Sequence, residues 1–378
     1  MSSKLDRLMQ DFNKQYKETI ITRGIPELKN ERLEFSSPRI NYMLYGGLPR
    51  GRIIEFSGEE GSGKTTTALD IVANAQELFV REWEKEIKDL EAIEKRKRDE
   101  ETRLSYLKGR GPHQVVYADC ENTLDDEWAR LLGVDTDNLI LIKPMSQSAE
   151  QIFEMILQMI ETDEVGLVVI DSLGVMLSQQ AYDKSMEEKT YGGIAMALTL
   201  FSKKAELLCT RYNCTIIGIN QVRANLNSPY GGLVTTGGKA WKHNCSVRLL
   251  FRQGNYLDAK GNQLKRSAGE PEGVEVLVHI EKTKICKPDR RLGFYTLMFH
   301  KGIDVIADTI ETAVMFGIIR QAGSWFNFVD IETGEILSDE EGEPIKIQGK
   351  ANLKEYLEEN KEMTQRINQQ IRELIEKS

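Results

Sequence analysis

The sequence predicts an α/β protein: a mainly parallel central sheet with helices on both faces, preceded by one helix and followed by a small α+β domain. Two observations carry this. Strand-like runs at 52–57, 114–119, 138–142, 166–171 and 214–220 alternate with helical patterns at 64–79, 124–132, 147–161 and 190–212, the alternation that parallel crossover connections require. The first unit also carries a phosphate-binding loop, Gly58, Glu59, Glu60, Gly61, Ser62, Gly63, Lys64, Thr65 and Thr66, between the apolar run Ile53–Phe56 and a helical pattern. Its glycines expose backbone N–H groups where a helix starts, and Lys64 reaches the outer phosphates of a nucleoside triphosphate.

The elements follow in order. Residues 4–18 place Leu5, Leu8, Met9 and Phe12 on one side of a helix, which must pack on its own chain or on a neighbour. Residues 19–50 read as short strands and turns. From Arg81 to Thr102, sixteen of 22 residues are charged, and Trp83, Ile87, Leu90 and Ile93 make one narrow apolar stripe. This insert, about 81–110, is expected to be an exposed helix or helical hairpin, either a solvated spacer or a docking surface. Runs at 246–252, 273–281 and 293–299 have no long helices between them and extend the sheet as hairpins. Beyond 300, Asp304–Phe316 is helical, Gly317–Phe328 a strand pair, Asp330–Gly349 an acidic loop or hairpin, and Leu353–Lys377 helical. The expected division is 1–35, 36–300 and 301–378.

A chain of 378 residues suits one large domain with smaller appendages. No apolar run approaches the ~20 residues of a membrane span, and the start lacks a secretory apolar core, so a cytoplasmic protein is expected. Five scattered cysteines and four isolated histidines give no metal cluster. The net charge of −9 argues against nucleic-acid binding until it is localised. Residues 301–378 carry nine Lys/Arg against sixteen Asp/Glu, so most of the excess lies there and the rest is nearly neutral.

The ends of three strands carry the chemistry. Thr65 is placed to put its hydroxyl on Mg²⁺. The wholly apolar run Val165–Ile170 ends in Asp171, at the sheet edge where ligands of open α/β folds bind, so Asp171 can hold the Mg²⁺ shell. The run Gln114–Ala118 ends in Asp119 and Glu121; either can position and deprotonate water, and spacing alone does not choose between them. Thr215–Ile219 ends in Asn220 and Gln221. Gln221 can hydrogen-bond the γ-phosphate and pass its loss to the glycine-rich, aperiodic segment Val222–Thr236.

The ordered set of motifs resembles the RecA family of DNA strand-exchange recombinases. It comprises Gly47–Glu55, the phosphate loop, Asp119–Asp125, Leu132–Asn138, Val169–Ser172, Asn220–Arg223, Thr235–Gly238 and Gly323–Trp325, and covers almost the whole chain. The resemblance implies a RecA-like P-loop ATPase core that binds ATP and Mg²⁺. It makes Glu121 the residue that activates water, sets Asp125 and Trp128 beside the adenine, and couples the γ-phosphate to DNA through Gln221. It implies that Lys282 and Lys284, otherwise read as solvated residues of an edge strand, reach the ATP of a neighbouring subunit, and that the first helix packs on that neighbour as an oligomerisation segment. Two DNA loops are implied. The first spans about Gln180–Gly193 and is followed by Thr199 and Lys203. The second, Val222–Gly238, brings Arg223 to a phosphate, Leu226 between bases, and Gly237 and Gly238 for backbone contacts.

Departures from the family pattern point to a divergent, phage-like or mobile-element member. Met196 stands where an arginine is common, so that one cationic contact is either lost or moved to Lys189, and the charged insert and acidic 330–349 hairpin exceed the pattern. A disordered acidic tail is expected to be missing, since the last helix runs to Ser378. The expected function is a DNA-dependent ATPase that forms homo-oligomeric filaments on single-stranded DNA and exchanges strands with a homologous duplex, with a mediator or single-strand-binding protein as a further partner. The alternative is a hexameric DNA helicase or loader on the same core. That reading shares the phosphate loop but does not account for Lys282 and Lys284 together with the first helix.

Overall fold

A computed structural model describes residues 4–16, 21–22, 31–183, 193–224, 233–264, 269–287, 289–338 and 342–378. The chain forms two compact units, 1–31 and 32–378. In the first, α1 (Lys4–Tyr16) is amphipathic, and Asn13 exchanges two 2.9 Å hydrogen bonds with the backbone of Ile21.

The second unit opens with the pair β1 (Arg32–Leu33) and β2 (Leu48–Pro49) around α2 (Pro38–Met43). Helix α2 corrects the reading of 19–50 as strands and turns. It is short, but Ser37 caps it and Pro38 pre-sets its first turn, a start signal that its six residues of pattern are too few to reinforce.

There follow β3 (Ile53–Gly58), α3 (Lys64–Glu91), α4 (Arg98–Arg110), β4 (Gln114–Asp119), α5 (Asp126–Leu131), β5 (Ile140–Ile142), α6 (Ala149–Glu161), β6 (Val165–Asp171), α7 (Gln179–Tyr182), α8 (Gly193–Tyr212), β7 (Thr215–Ala224), β8 (Leu233–Thr235), α9 (Gly238–Asn244), β9 (Val247–Leu257), β10 (Gly273–Thr283), β11 (Leu292–Met298) and β12 (Gly302–Ile303). The sheet order is β12-β11-β10-β9-β3-β7-β6-β4-β5, with β8 paired to β7. From β9 to β5 the strands are parallel; β10, β11 and β12 add antiparallel pairs. Strand β10 therefore lies between two neighbours and is not an edge strand.

The parallel strands bury both faces, so alternate residues feed two cores. Ile54, Phe56, Val115, Tyr117, Leu167, Val169, Ile217 and Ile219 join one with α3; Ile53, Val116, Val168, Ile170 and Ile216 join the other with α6 and α8. Each such aliphatic side chain contributes about 1.5–3 kcal/mol on burial, so the strand ends sit on a rigid base.

The charged insert is a helical hairpin. Helix α3 buries side chains up to Phe79 and then runs on to Glu91, with α4 returning beside it. Trp83 Nε1 donates to Leu107 O at 2.8 Å, Arg103 pairs with Glu86 at 2.9 Å, and Arg50 pairs with Glu82 at 2.8 Å where the hairpin leaves the core.

The last part comprises α10 (Val305–Phe316), β13 (Ile319–Ala322), β14 (Trp325–Phe328), β15 (Lys346–Gln348), α11 (Lys350–Glu359) and α12 (Lys361–Lys377), around a third core. One continuous helix over 353–377 was expected; the chain instead breaks at Asn360, which lets Leu353 and Leu357 of α11 and Ile367, Ile371 and Ile375 of α12 face the same core. Among the described residues no helix is long and apolar enough to cross a membrane.

Candidate active site

The phosphate loop closes on its own lysine. Gly61 and Gly63 have φ of 71° and 89°, a region that costs a side-chain-bearing residue about 1 kcal/mol or more. A Cβ on Gly63 would also lie 2.9 Å from Val276 Cγ2. Lys64 is 8% exposed, and its Nζ donates to Glu59 O at 2.5 Å and to Ser62 Oγ at 3.4 Å. Burial lowers its pKa, and the charges of Asp171 and Glu121 oppose that shift. The loop thus surrounds a held cation at the start of α3. Beneath it the Tyr295 hydroxyl lies 2.6 Å from Thr67 Oγ1.

Asp171 ends β6 beside the loop. Its Oδ2 accepts from Thr65 Oγ1 at 2.8 Å and from Tyr117 OH at 2.8 Å. Burial raises the Asp171 pKa, while these two donors lower it. A threonine hydroxyl and a carboxylate turned to one point beside a lysine form an oxygen donor set that suits Mg²⁺, which takes few protein ligands and keeps waters and phosphate oxygens. Among the described residues no cluster of three or more His, Cys, Asp or Glu forms a dedicated metal cage.

The two carboxylates after β4 part company. Asp119 is 2% exposed and accepts from Thr123 N and Leu124 N, both at 3.1 Å; it fixes the turn through Asn122, whose φ is 54°. Glu121 projects from that turn, and Ser172 Oγ donates to its Oε1 at 2.5 Å. The N–H groups of Cys120 and Glu121 both donate to Asp171 O, at 2.7 and 3.3 Å, which pins the ends of β4 and β6 together. Only Glu121 keeps carboxylate lone pairs away from the backbone.

Gln221 is in direct register with Gly58 across β3 and β7. Beyond it β7 continues to Ala224 and pairs antiparallel with β8, Val222 opposite Thr235 and Arg223 opposite Val234. The segment that the resemblance implies as the second DNA loop therefore stands on a two-stranded stem rooted beside the phosphate loop. Arg223 is exposed on this stem, Gly237 (φ 94°) caps α9 and Gly238 (φ 75°) opens it. Leu226 and Lys189 lie outside the described residues. Thr199 and Lys203 share α8; Thr199 Oγ1 donates to Ala195 O at 2.7 Å, and Lys203 is exposed.

Asp125 caps α5, its Oδ1 accepting from Trp128 N at 3.1 Å, and the Trp128 ring is half-buried against the first core. Lys282 and Lys284 are not gathered at the loop. Lys282 faces Arg248, which faces Glu55, three strand positions from Gly58 and so about 10 Å along the sheet, and Lys284 follows beyond the end of β10. Lys282 Nζ donates to the carbonyls of Lys242 and His243, both at 2.7 Å, and Lys284 Nζ is 4.0 Å from Glu206.

Tyr117, Ser172, Glu55 and Trp241 join the site in the structure although the sequence pattern does not mark them as site residues. Ser172 directly follows the Asp171 motif, and Glu55 is a lone carboxylate in an apolar run; both are signals. Tyr117 and Trp241 read as ordinary core aromatics.

The RecA N-terminal domain matches residues 3–80 and 107–304, and the RecA C-terminal domain matches 307–376. All but the end of the hairpin's second helix falls in the gap, 81–106, between the two N-terminal pieces. The chain is similar to Protein RecA of Fusobacterium nucleatum, 31% identical over 88% of this chain and 73% of that protein. It is similar to Protein RecA of Thermus aquaticus, 28% identical over 99% of this chain and 94% of that protein, and to that of Synechocystis, 28% identical over 92% and 83%. With a phosphate loop, a Mg²⁺-suited oxygen pair and an amide-ended strand at one sheet edge, and with both RecA domains matched in order, the chain belongs to the RecA family of ATP- and Mg²⁺-using, DNA-dependent ATPases that form filaments on DNA and carry out homologous recombination.

Proposed function

We propose that in this recombinase Glu121 is the general base for ATP hydrolysis and Gln221 reports the γ-phosphate to the DNA loops. The observation that carries this is the convergence of Lys64, Thr65, Asp171, Glu121 and Gln221 on the ends of β3, β4, β6 and β7, with Asp119 withdrawn into a turn. Glu121 takes a proton from water at its carboxylate, the water oxygen bonds to the γ-phosphorus, and the bond from that phosphorus to the ADP oxygen breaks. Lys64 and the loop amides offset charge on the phosphates. Thr65 and Asp171 would hold Mg²⁺, which when bound neutralises charge on the phosphate oxygens. Asp125 and Trp128 border the adenine.

Lys282 and Lys284 act on the ATP of an adjoining subunit, because they lie too far along the sheet to reach their own. The first helix docks on that neighbour, a reading supported by the apolar stripe of α1, with Leu5 and Leu8 exposed, while Leu33 and Phe35 are buried in the chain's own core. DNA phosphates contact Arg223, Gly237, Gly238, Thr199 and Lys203; Lys189 and Leu226 belong to the same proposal on the strength of the resemblance. A mediator or single-strand-binding protein would share the filament. The chain acts in a bacterial or infected-host cytoplasm as a divergent, phage-like member.

Electron microscopy with single-stranded DNA and a non-hydrolysable ATP analogue tests the assembly. Extended helical filaments are expected, and closed rings would select the helicase or loader instead.

A further inference from the structure

We infer that Glu55 is a positioning residue that ties the base of the second DNA loop to the nucleotide-binding strand, acting through Asn220, Thr236 and Trp241. Glu55 sits three residues before Gly58 in β3 and is 0% exposed. A carboxylate so placed costs several kcal/mol unless it is paired and hydrogen-bonded. It is both. Its Oε1 accepts from Asn220 Nδ2 at 2.9 Å and from Trp241 Nε1 at 3.0 Å, and its Oε2 accepts from Arg248 Nε.

Asn220 spends the rest of its amide on one residue. Its Nδ2 also donates to Thr236 O at 3.0 Å, and its Oδ1 accepts from Thr236 Oγ1 at 2.5 Å. Asn220 immediately precedes Gln221, and Thr236 immediately precedes Gly237 and Gly238. One buried carboxylate therefore holds both ends of the loop stem, where it leaves β7 and where it returns to α9. Trp241 reaches Glu55 only because residue 218 is glycine: a Cβ there would lie 2.6 Å from Trp241 Cζ2.

Well-packed apolar groups in place of the whole Glu55–Arg248 pair would join the strands at equal or better stability. What directional hydrogen bonds add is register. Any displacement of Gln221 must move Asn220, and Asn220 cannot move without releasing Thr236 or Glu55. A shift at the phosphate is thus passed to the loop anchor as an exchange of bonds. The inference rests on the proposed role of Gln221.

Glu55→Gln removes one of the two carboxylates that pair with Arg248, leaving only Glu281 at 2.9 Å, and can fail to fold, so the test uses Trp241→Phe, which keeps a ring and removes the N–H, and Thr236→Val, which keeps the shape and removes the hydroxyl donor. In the full chain, the affinity for a poly-dT oligonucleotide is measured with a Mg²⁺–ATP analogue and with ADP. The ratio of the two is expected to fall at least about fivefold in each variant, within the usual range of coupling, while nucleotide affinity without DNA stays within about twofold of the parent. The double variant should fall no further than the worse single, because both act through one hub. An unchanged ratio in both single variants, even with lowered thermal stability, means a packing role only and overturns the inference. So does a double variant whose loss is the product of the singles. A parent whose ratio is already one would instead sink the role of Gln221, and the inference with it.

Discussion

Asp119 and Glu121 stand two positions apart at one strand end and are given different tasks by the amides around them. Asp119 is held by Thr123 N and Leu124 N, while Glu121 is held by one serine hydroxyl. Glu121→Gln should lower DNA-stimulated turnover about 10²–10⁴-fold, the range for losing a general base, with nucleotide binding retained. Rates at saturating ATP and DNA check this, and a variant turning over like the parent would remove Glu121 from the chemistry. Asp119→Ala should instead cost roughly 1–2 kcal/mol, as the loss of a capping side chain does, read as a shift in the denaturant midpoint. Spacing could not separate the two carboxylates, because the deciding feature is the Asn122 turn that folds later amides back onto Asp119. The phosphate loop and Asp171 were legible because their chemistry is local. The Glu55 hub was not, since its partners stand 165 to 193 residues away.

Helices α2 and α10 meet around a buried acid. Asp308 is 2% exposed, its Oδ2 has no hydrogen-bond partner among the described residues, and burial pushes its pKa from 3.8 up to about 7. Ser37, which caps α2, and Arg39 within it favour its charged form, and Asp304 at the start of α10 opposes it. With the folded pKa above the unfolded one, the stabilising contribution is fully present below about pH 4 and is lost as pH rises through about 7. Melting temperature should therefore decline between pH 5 and 8. Asp308→Asn, which imitates the protonated acid, should flatten that decline and stabilise the protein at pH 8 by on the order of a few kcal/mol. Asp70, accepting from Ser36 N at 3.0 Å and pushed up to about 6 by burial, acts in the same direction and leaves a residual slope. A variant with the parent's full slope would remove Asp308 as the cause. At this scale the alternating strands and helices were readable because periodicity repeats. The end of α3 was not: the pattern changes at Phe79, where burial stops, while the helix continues to Glu91 on pairs with α4.

The assembled molecule decides what Lys282 does. Within one chain it caps the last turn of α9 through the carbonyls of Lys242 and His243, and it lies level with Glu55, about 10 Å along the sheet from Gly58. A loss of activity in Lys282→Ala is therefore compatible with two causes, a frayed α9 in the same subunit or a missing cation at the neighbour's ATP. Mixing separates them. Glu121→Gln subunits keep Lys282 but cannot hydrolyse; Lys282→Ala subunits keep Glu121 but cannot supply the cation. If the lysine acts across a head-to-tail interface, randomly mixed filaments contain junctions where an intact Glu121 meets an intact Lys282 from the next subunit. An equal mixture should then recover about one quarter of the parent's DNA-stimulated rate, from two preparations that are each nearly inactive. A capping role confined to one chain predicts no recovery at any mixing ratio. Lys284→Ala gives a second arm: its Nζ is 4.0 Å from Glu206 and has no part in capping α9, so complementation there cannot be credited to a repaired helix.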